Sequence, residues 1–249
     1  MKIIFLGVGE AFDENLANSS VLVLSDNTNL LLDCGCSIPQ QLWRFNKDQS
    51  FLDAVYISHT HADHYFGIPS LFYRMHQRKR EKPLTVIGQK GIEKLIKELM
   101  EFAYKDIFSK FEFKIDFIEV EQGQTIQFNE LKLSFAETEH SIDNLALKID
   151  NGEKSFCYSG DGMFNIKTEE LYKNSDLVIH EAYLLNEKEE GHACITDLIE
   201  MAERNNVKCL AFIHISRDIR KEKLESIKKM IFNKKVKVLV PNPLEEYEL

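Results

Sequence analysis

At 249 residues the chain can form one large domain or two small ones, and a hydrophobic content of 44% supports a full core. A formal net charge of −9 excludes a surface that grips nucleic acid everywhere, because that affinity comes from Lys and Arg displacing phosphate counterions. The five cysteines (Cys34, Cys36, Cys157, Cys194, Cys209) contain no C-x-x-C pair, which predicts free thiols in a reducing, cytoplasmic setting.

Met1 to Gly7 carries one charge and a short apolar run that breaks at glycine, so it reads as a first strand and not as a signal peptide. No stretch approaches the ~20 apolar residues of a membrane span. Lys2–Leu6, Ser20–Leu24 and Leu30–Leu32 read as strands, the last two separated by the polar turn Asp26-Asn27-Thr28-Asn29. Asp33 closes the third strand beside Cys34-Gly35. It is either a turn residue or a carboxylate placed to orient a metal-bound histidine from behind.

The apolar Ala54-Val55-Tyr56-Ile57 then runs into Ser58-His59-Thr60-His61-Ala62-Asp63-His64. Three imidazoles and a carboxylate crowded on a turn after a buried strand are what a divalent metal needs. In an extended turn His59 and His61 point to one side and can reach one ion, while Asp63 and His64, past the bend, can serve a second. A helix from about Ile68 to Arg80 follows, ending in the basic cluster Arg74, Arg78, Lys79, Arg80 and Lys82. That cluster reads as a solvated helix end; its functional alternative is to draw in a phosphate substrate. Gly91–Phe108 is predicted as an amphipathic helix burying Ile92, Leu95, Ile96, Leu99, Phe102 and Ala103.

Phe113–Val120 reads as a strand, and two hairpins follow: Thr125–Phe128 with Leu131–Phe135, and Asn144–Ile149 with Ser155–Ser159. The second turns at Asp150-Asn151-Gly152. His140 and Asp161 each stand just past one of these strands. Leu177 to Ala182 is a buried strand ending in His180-Glu181, and His192 follows. A helix from Thr196 to Asn205 leads to the strand Cys209–Ile213, then to His214-Ile215-Ser216-Arg217. A helix near Leu224–Ile231 and a strand Val236–Val240, stopped by Pro241, close the chain.

H-x-H-x-D-H after a strand, followed in order by His140, Asp161 and His214, resembles the metallo-β-lactamase superfamily of dinuclear hydrolases. The resemblance implies one domain over residues 1–249, an α/β (α+β) four-layer αβ/βα sandwich. It implies one metal held by His59, His61 and His140, another by Asp63, His64 and His214, and Asp161 bridging. Zn2+ suits so many nitrogen ligands, with Mn2+ or Fe2+ as alternatives. The absence of a cysteine ligand argues against a β-lactamase-type site, and the early histidines argue against a redox di-iron variant.

His180-Glu181-Ala182, His192 and His214-Ile215-Ser216-Arg217 are similar to the ribonuclease Z branch, the tRNA 3′-endoribonucleases. That likeness implies that His192, backed by Glu181, serves the leaving oxygen, that Asp63 positions the nucleophile, and that Ser216 and Arg217 contact substrate phosphate. An ordinary ion pair is the plainer account of Glu181 and His192. The branch's tRNA-docking arm is missing, since His140 and Asp161 are only 21 positions apart. Armless relatives include phosphodiesterases for small cyclic phosphates or nucleotides. The expectation is therefore a metal-dependent phosphodiesterase for a small or single-stranded phosphodiester, with folded tRNA a poor fit. Alternatives are a lactone or thioester hydrolase, a tRNA 3′-processing enzyme, and a non-catalytic metal-bound sensor. The resemblance also implies a homodimer.

Overall fold

Several apolar runs become strands covered on both faces, which is why they show no polar alternation. Ala54–Ile57 (β4), Leu177–Glu181 (β11) and Cys209–Ile213 (β12) are buried at every position. The structure, a computed structural model, describes residues 1–187 and 189–249. Among these, the strands form two seven-stranded sheets. The first runs Glu245–Glu248 (β14), Lys2–Gly7 (β1), Ser20–Leu24 (β2), Asn29–Leu32 (β3), β4, Leu84–Gln89 (β5) and Ile115–Val120 (β6). The second runs Lys237–Leu239 (β13), β12, β11, Ser155–Tyr158 (β10), Leu145–Asp150 (β9), Leu131–Glu137 (β8) and Thr125–Phe128 (β7).

Each sheet joins an antiparallel meander to a parallel block: β3 to β6 in the first, β10 to β13 in the second. The sheets face each other across a core that includes Phe5, Val23, Tyr56, Leu133, Leu147 and Tyr158. Helices Ile38–Phe45 (α1), Ile68–Gln77 (α3) and Ile92–Ala103 (α4) cover the outer face of the first sheet. Ile166–Tyr172 (α5), Ile195–Arg204 (α6) and Arg217–Ile231 (α7) cover the second. The architecture is the four-layer αβ/βα sandwich. Asp33, the His59–His64 loop, Asp161, Glu181 and His214 all lie at or just past the carboxyl ends of β3, β4, β10, β11 and β12, where open parallel sheets place their ligands.

Three sequence expectations need correction. Helix α4 buries Ile92, Ile96 and Met100, an i, i+4 row, while Leu95 and Phe102 are 38% and 92% exposed. It rests on the sheet along one narrow ridge, so the flanking apolar residues turn outward. Helix α7 begins at Arg217, seven residues before the predicted start, because it buries only Ile227 and its apolar pattern is correspondingly faint. Arg80 is not part of a solvated cluster. It is fully buried and donates to the backbone carbonyls of Gln49, Leu52, Lys82 and Pro83 at 2.6–2.7 Å. A guanidinium has enough fixed donors to satisfy several loop carbonyls at once, so its burial is compensated.

Candidate metal centre

The loop after β4 carries His59 and His61 to one side, and the loop after β8 brings His140 to meet them. His61 Nδ1 lies 3.1 Å from both His59 Nε2 and His140 Nε2. His140 Nδ1 donates to the Gly191 carbonyl at 2.9 Å, so its Nε2 lone pair faces inward. Burial, with the neighbouring imidazoles, holds His59 well below its ordinary pKa and lowers His61 too. Neutral imidazoles that aim nitrogens at one point fit a shared cation, since one proton cannot satisfy all three.

A second group stands beside the first. Asp63 and His64 lie in the helical turn Ala62–Tyr65 (α2), Asp161 follows β10, and His214 follows β12. His64 Nε2 is 3.1 Å from Asp63 Oδ2 and 3.4 Å from Asp161 Oδ2; His214 Nε2 is 3.3 and 3.4 Å from the same two oxygens. Asp161 Oδ2 also lies 3.9 Å from His59 Nε2, which places it between the groups. His64 Nε2 and Asp161 Oδ1 are buried without a hydrogen bond among the described residues. Orphaned buried polar atoms of this kind need a partner, and a divalent ion supplies one. Despite burial, the neighbouring histidines hold Asp63 and Asp161 below the usual carboxylate range. Burial disfavours the charged forms of His64 and His214, but the carboxylates outweigh it, raising His64 and pushing His214 up to about 9. The negative charge that would keep protons on these rings is what a metal ion takes over.

Local backbone geometry holds both groups. Gly160 and Gly162 flank Asp161 at φ 62° and 102°, and a Cβ at Gly160 would sit 2.3 Å from Asn144 Oδ1. Asn144 Nδ2 donates to the carbonyls of Ser159 and Asp161 and to Thr138 Oγ1. His214 and Asp33 adopt φ 53° and 59°, left-handed conformations that non-glycine residues keep only where the surroundings fix them. Asp33 is not a plain turn residue: it is fully buried and accepts from His64 Nδ1 at 2.7 Å.

His192 faces the same space, with Glu181 behind it. His192 Nδ1 lies 3.3 Å from Glu181 Oε1, which also accepts from the Gly162 and Ala193 amides; Oε2 accepts from Tyr183 N–H. A carboxylate fully buried among three backbone donors is no surface ion pair. Partial burial opposes protonation of His192, but its hydrogen bond to Glu181 prevails and raises its pKa. Tyr183 stacks on the His192 ring at 4.5 Å between centroids. His192, Tyr183 and Phe12, with His61, Asp63, His140, Asp161 and His214, line a cavity of about 350 Å³.

Residues 1–239 match the family model described as Anti-Pycsar protein Apyc1. The chain belongs to that family. It is a ribonuclease Z-like member of the metallo-β-lactamase superfamily, a group of metal-binding hydrolases. Ribonuclease Z of Methanocaldococcus jannaschii is 27% identical, with all of this chain and 97% of the relative covered. Ribonuclease Z of Sulfolobus acidocaldarius is 25% identical over all of this chain and 98% of the relative. The metallo-β-lactamase fold protein YhfI from Bacillus subtilis shares the fold with a TM-score of 0.83 at 22% identity, covering 99% of this chain and 98% of that one. Human tRNase Z, short form, gives 0.81 at 20%, covering 100% and 99%.

Within this Apyc1-family chain the structure brings together the seven expected ligands and the Glu181–His192 pair. It does not bring Ser216 and Arg217 to the cavity wall among the described residues. Arg217 is instead ion-paired at 2.6 Å with the buried Glu10, whose other oxygen accepts from Phe12 N–H at the cavity rim. In this arrangement Arg217 ties the start of α7 to the loop that carries Glu10 and Phe12. His180, beside Glu181, turns away into the core against Tyr172 and Phe164. Sequence reading missed Asn144, Tyr158 and Glu10. Asn144 at the first position of the predicted strand Asn144–Ile149 was the one available signal, since an amide at such a corner can satisfy loop carbonyls.

Proposed function

We propose that this chain is a dinuclear metal-dependent phosphodiesterase acting on small or single-stranded phosphodiesters. The observation that carries the reading is the convergence of two ligand groups and a carboxylate-backed histidine on one cavity of about 350 Å³. His59, His61 and His140 would hold one ion, and Asp63, His64 and His214 the other, with Asp161 shared. The nitrogen-rich set suits zinc. Divalent ions bound there lower the pKa of water from about 15.7 toward about 7 and offset charge on the phosphoryl oxygens.

The protein's own groups do the rest. Asp63 Oδ2, close to both histidine nitrogens of its group, acts as ligand and as the base that positions the nucleophile. His192 turns Nδ1 to Glu181, which leaves Nε2 for the leaving oxygen, and its raised pKa keeps a proton there near neutral pH. An alkoxide leaves poorly without that proton; an aryloxide needs it far less. Five free cysteines support a reducing, cytoplasmic setting, and the 1–249 segment is taken as one hydrolase domain.

Substrate size follows from the short hairpin between His140 and Asp161. The match to the M. jannaschii relative runs over 312 positions against 249 residues here, so that relative carries segments this chain lacks. Because the relatives are ribonucleases Z, tRNA 3′-processing is the second reading, and a precursor tRNA assay separates the two. The direct test is hydrolysis of bis(p-nitrophenyl) phosphate and of an alkyl phosphodiester by zinc- and manganese-loaded protein. Turnover that vanishes with a chelator supports the reading. Inertness of fully metallated protein toward both sinks it, and the lactone and thioester panel becomes the next assay.

A further inference from the structure

Behind His64 the Asp33 carboxylate gathers four donors. Oδ1 accepts from Ser58 N–H at 2.8 Å, and Oδ2 accepts at 2.7 Å from Ser58 Oγ, His64 Nδ1 and Tyr158 Oη. Asp33, Ser58, His64 and Tyr158 are all fully buried. Ser58 and His64 sit on the loop that follows β4, beside Asp33 in the first sheet. Tyr158 arrives from β10 of the second sheet, 125 residues away in sequence, and is the only donor to cross the inter-sheet core.

We propose that Tyr158 is a positioning residue for metal binding. Its phenol pins Asp33 Oδ2 against His64 Nδ1 and thereby sets the direction of the His64 Nε2 lone pair toward the ion held with Asp63, Asp161 and His214. The proposal rests on the metal-dependent reading of the site. Asp33 holds a left-handed backbone, so its carboxylate is placed by its donors and not by a relaxed main chain. Without the phenol the carboxylate would be held by three donors in place of four, and the imidazole it orients would loosen. Partners of this kind typically set metal affinity by ten- to a hundredfold when removed. The ligand group of His59, His61 and His140 makes no direct hydrogen bond to Asp33 among the described residues; its one link is Ser58 Oγ, which donates to Asp33 Oδ2 and lies 3.0 Å from His59 Nδ1, so that group should change less.

Tyr56 supplies the control. It is equally buried in the same core, but its phenol donates at 2.6 Å to the Leu145 carbonyl. Metal-free wild type, Tyr158→Phe and Tyr56→Phe would be titrated with zinc against a chromogenic chelator. We expect two sites in the wild type and in Tyr56→Phe with the same constants. In Tyr158→Phe one site weakens about tenfold and the other by clearly less. In zinc-loaded protein, the His64 Nδ1–H resonance, assigned by its loss in His64→Ala, should move in Tyr158→Phe and stay put in Tyr56→Phe. If Tyr158→Phe does not fold, 3-fluorotyrosine incorporated in place of Tyr158 keeps the shape, alters the donor, and should move the same resonance. Unchanged constants in Tyr158→Phe, equal weakening in both phenylalanine variants, or a resonance unmoved by the fluorinated donor would overturn the proposal. Wild-type protein that takes up no zinc removes the metal-dependent reading itself, and the proposal with it.

Discussion

His61 and His140 are half-buried at the cavity edge, held by a neighbouring ring and by the Gly191 carbonyl, whereas His64 and His214 are buried and face two carboxylates. Burial keeps protons off His59 and His61, and their group borders the loop that carries His192. The mixed group pairs two ionised carboxylates with two imidazoles whose pKa they raise, so it holds protons that a metal would displace, and it is braced by Asp33. Similar side chains are thus divided into a cluster anchored from behind and a cluster beside His192. The deepest carboxylate hydrogen bonds lie behind the mixed cluster, while His61 and His140 open onto the cavity.

The comparison can be broken at several points. Asp161→Ala removes the one carboxylate that reaches both groups; we expect loss of charge stabilisation worth several kcal/mol, about a thousandfold or more in kcat, with zinc stoichiometry falling below two by metal analysis. His192→Ala should leave both metals bound and slow an alkyl phosphodiester about a hundredfold or more, while an aryl diester loses under about tenfold in parallel assays. Asp33→Asn should weaken the mixed group by about ten- to a hundredfold in a chelator competition, and the histidine-only group, linked to Asp33 through Ser58 Oγ alone, by less.

The smallest effect is one of pH. Because Glu181 raises the His192 pKa, alkyl-ester turnover should persist above the ordinary imidazole range and fall as pH rises through the raised value. Glu181→Gln removes the charge that holds the proton, so the fall should begin at lower pH in a pH–kcat profile. A profile that does not move would separate His192 from the acid role.

The ligands were legible because each stands at or near a strand end, and strands such as Ala54–Ile57 and Cys209–Ile213 announce themselves as apolar runs. Glu181 was legible at the end of a buried strand, but its pairing with His192 came only from the likeness to the ribonuclease Z branch. What bound them in place was not. Tyr158 reads as core in any periodicity argument, and only the facing sheet shows that its phenol meets Asp33. Glu10 and Arg217 are 207 residues apart, so nothing local links them, and Arg217 looked free for phosphate. Arg80 followed the same logic: a helix-end arginine is a solvated charge until two loops fold over it. Elements were lost where local signals conflict. β14 is the acidic Glu245–Glu248 at a sheet edge, where charge is tolerated because it discourages further pairing.

Metal-free protein titrated with zinc while hydrolysing bis(p-nitrophenyl) phosphate asks whether the two unlike groups act together on one phosphodiester, as we propose. Turnover should then stay low through the first equivalent, which enters the mixed group, and rise to full rate across the second. Full rate at one equivalent, or no turnover at two, would contradict that proposal.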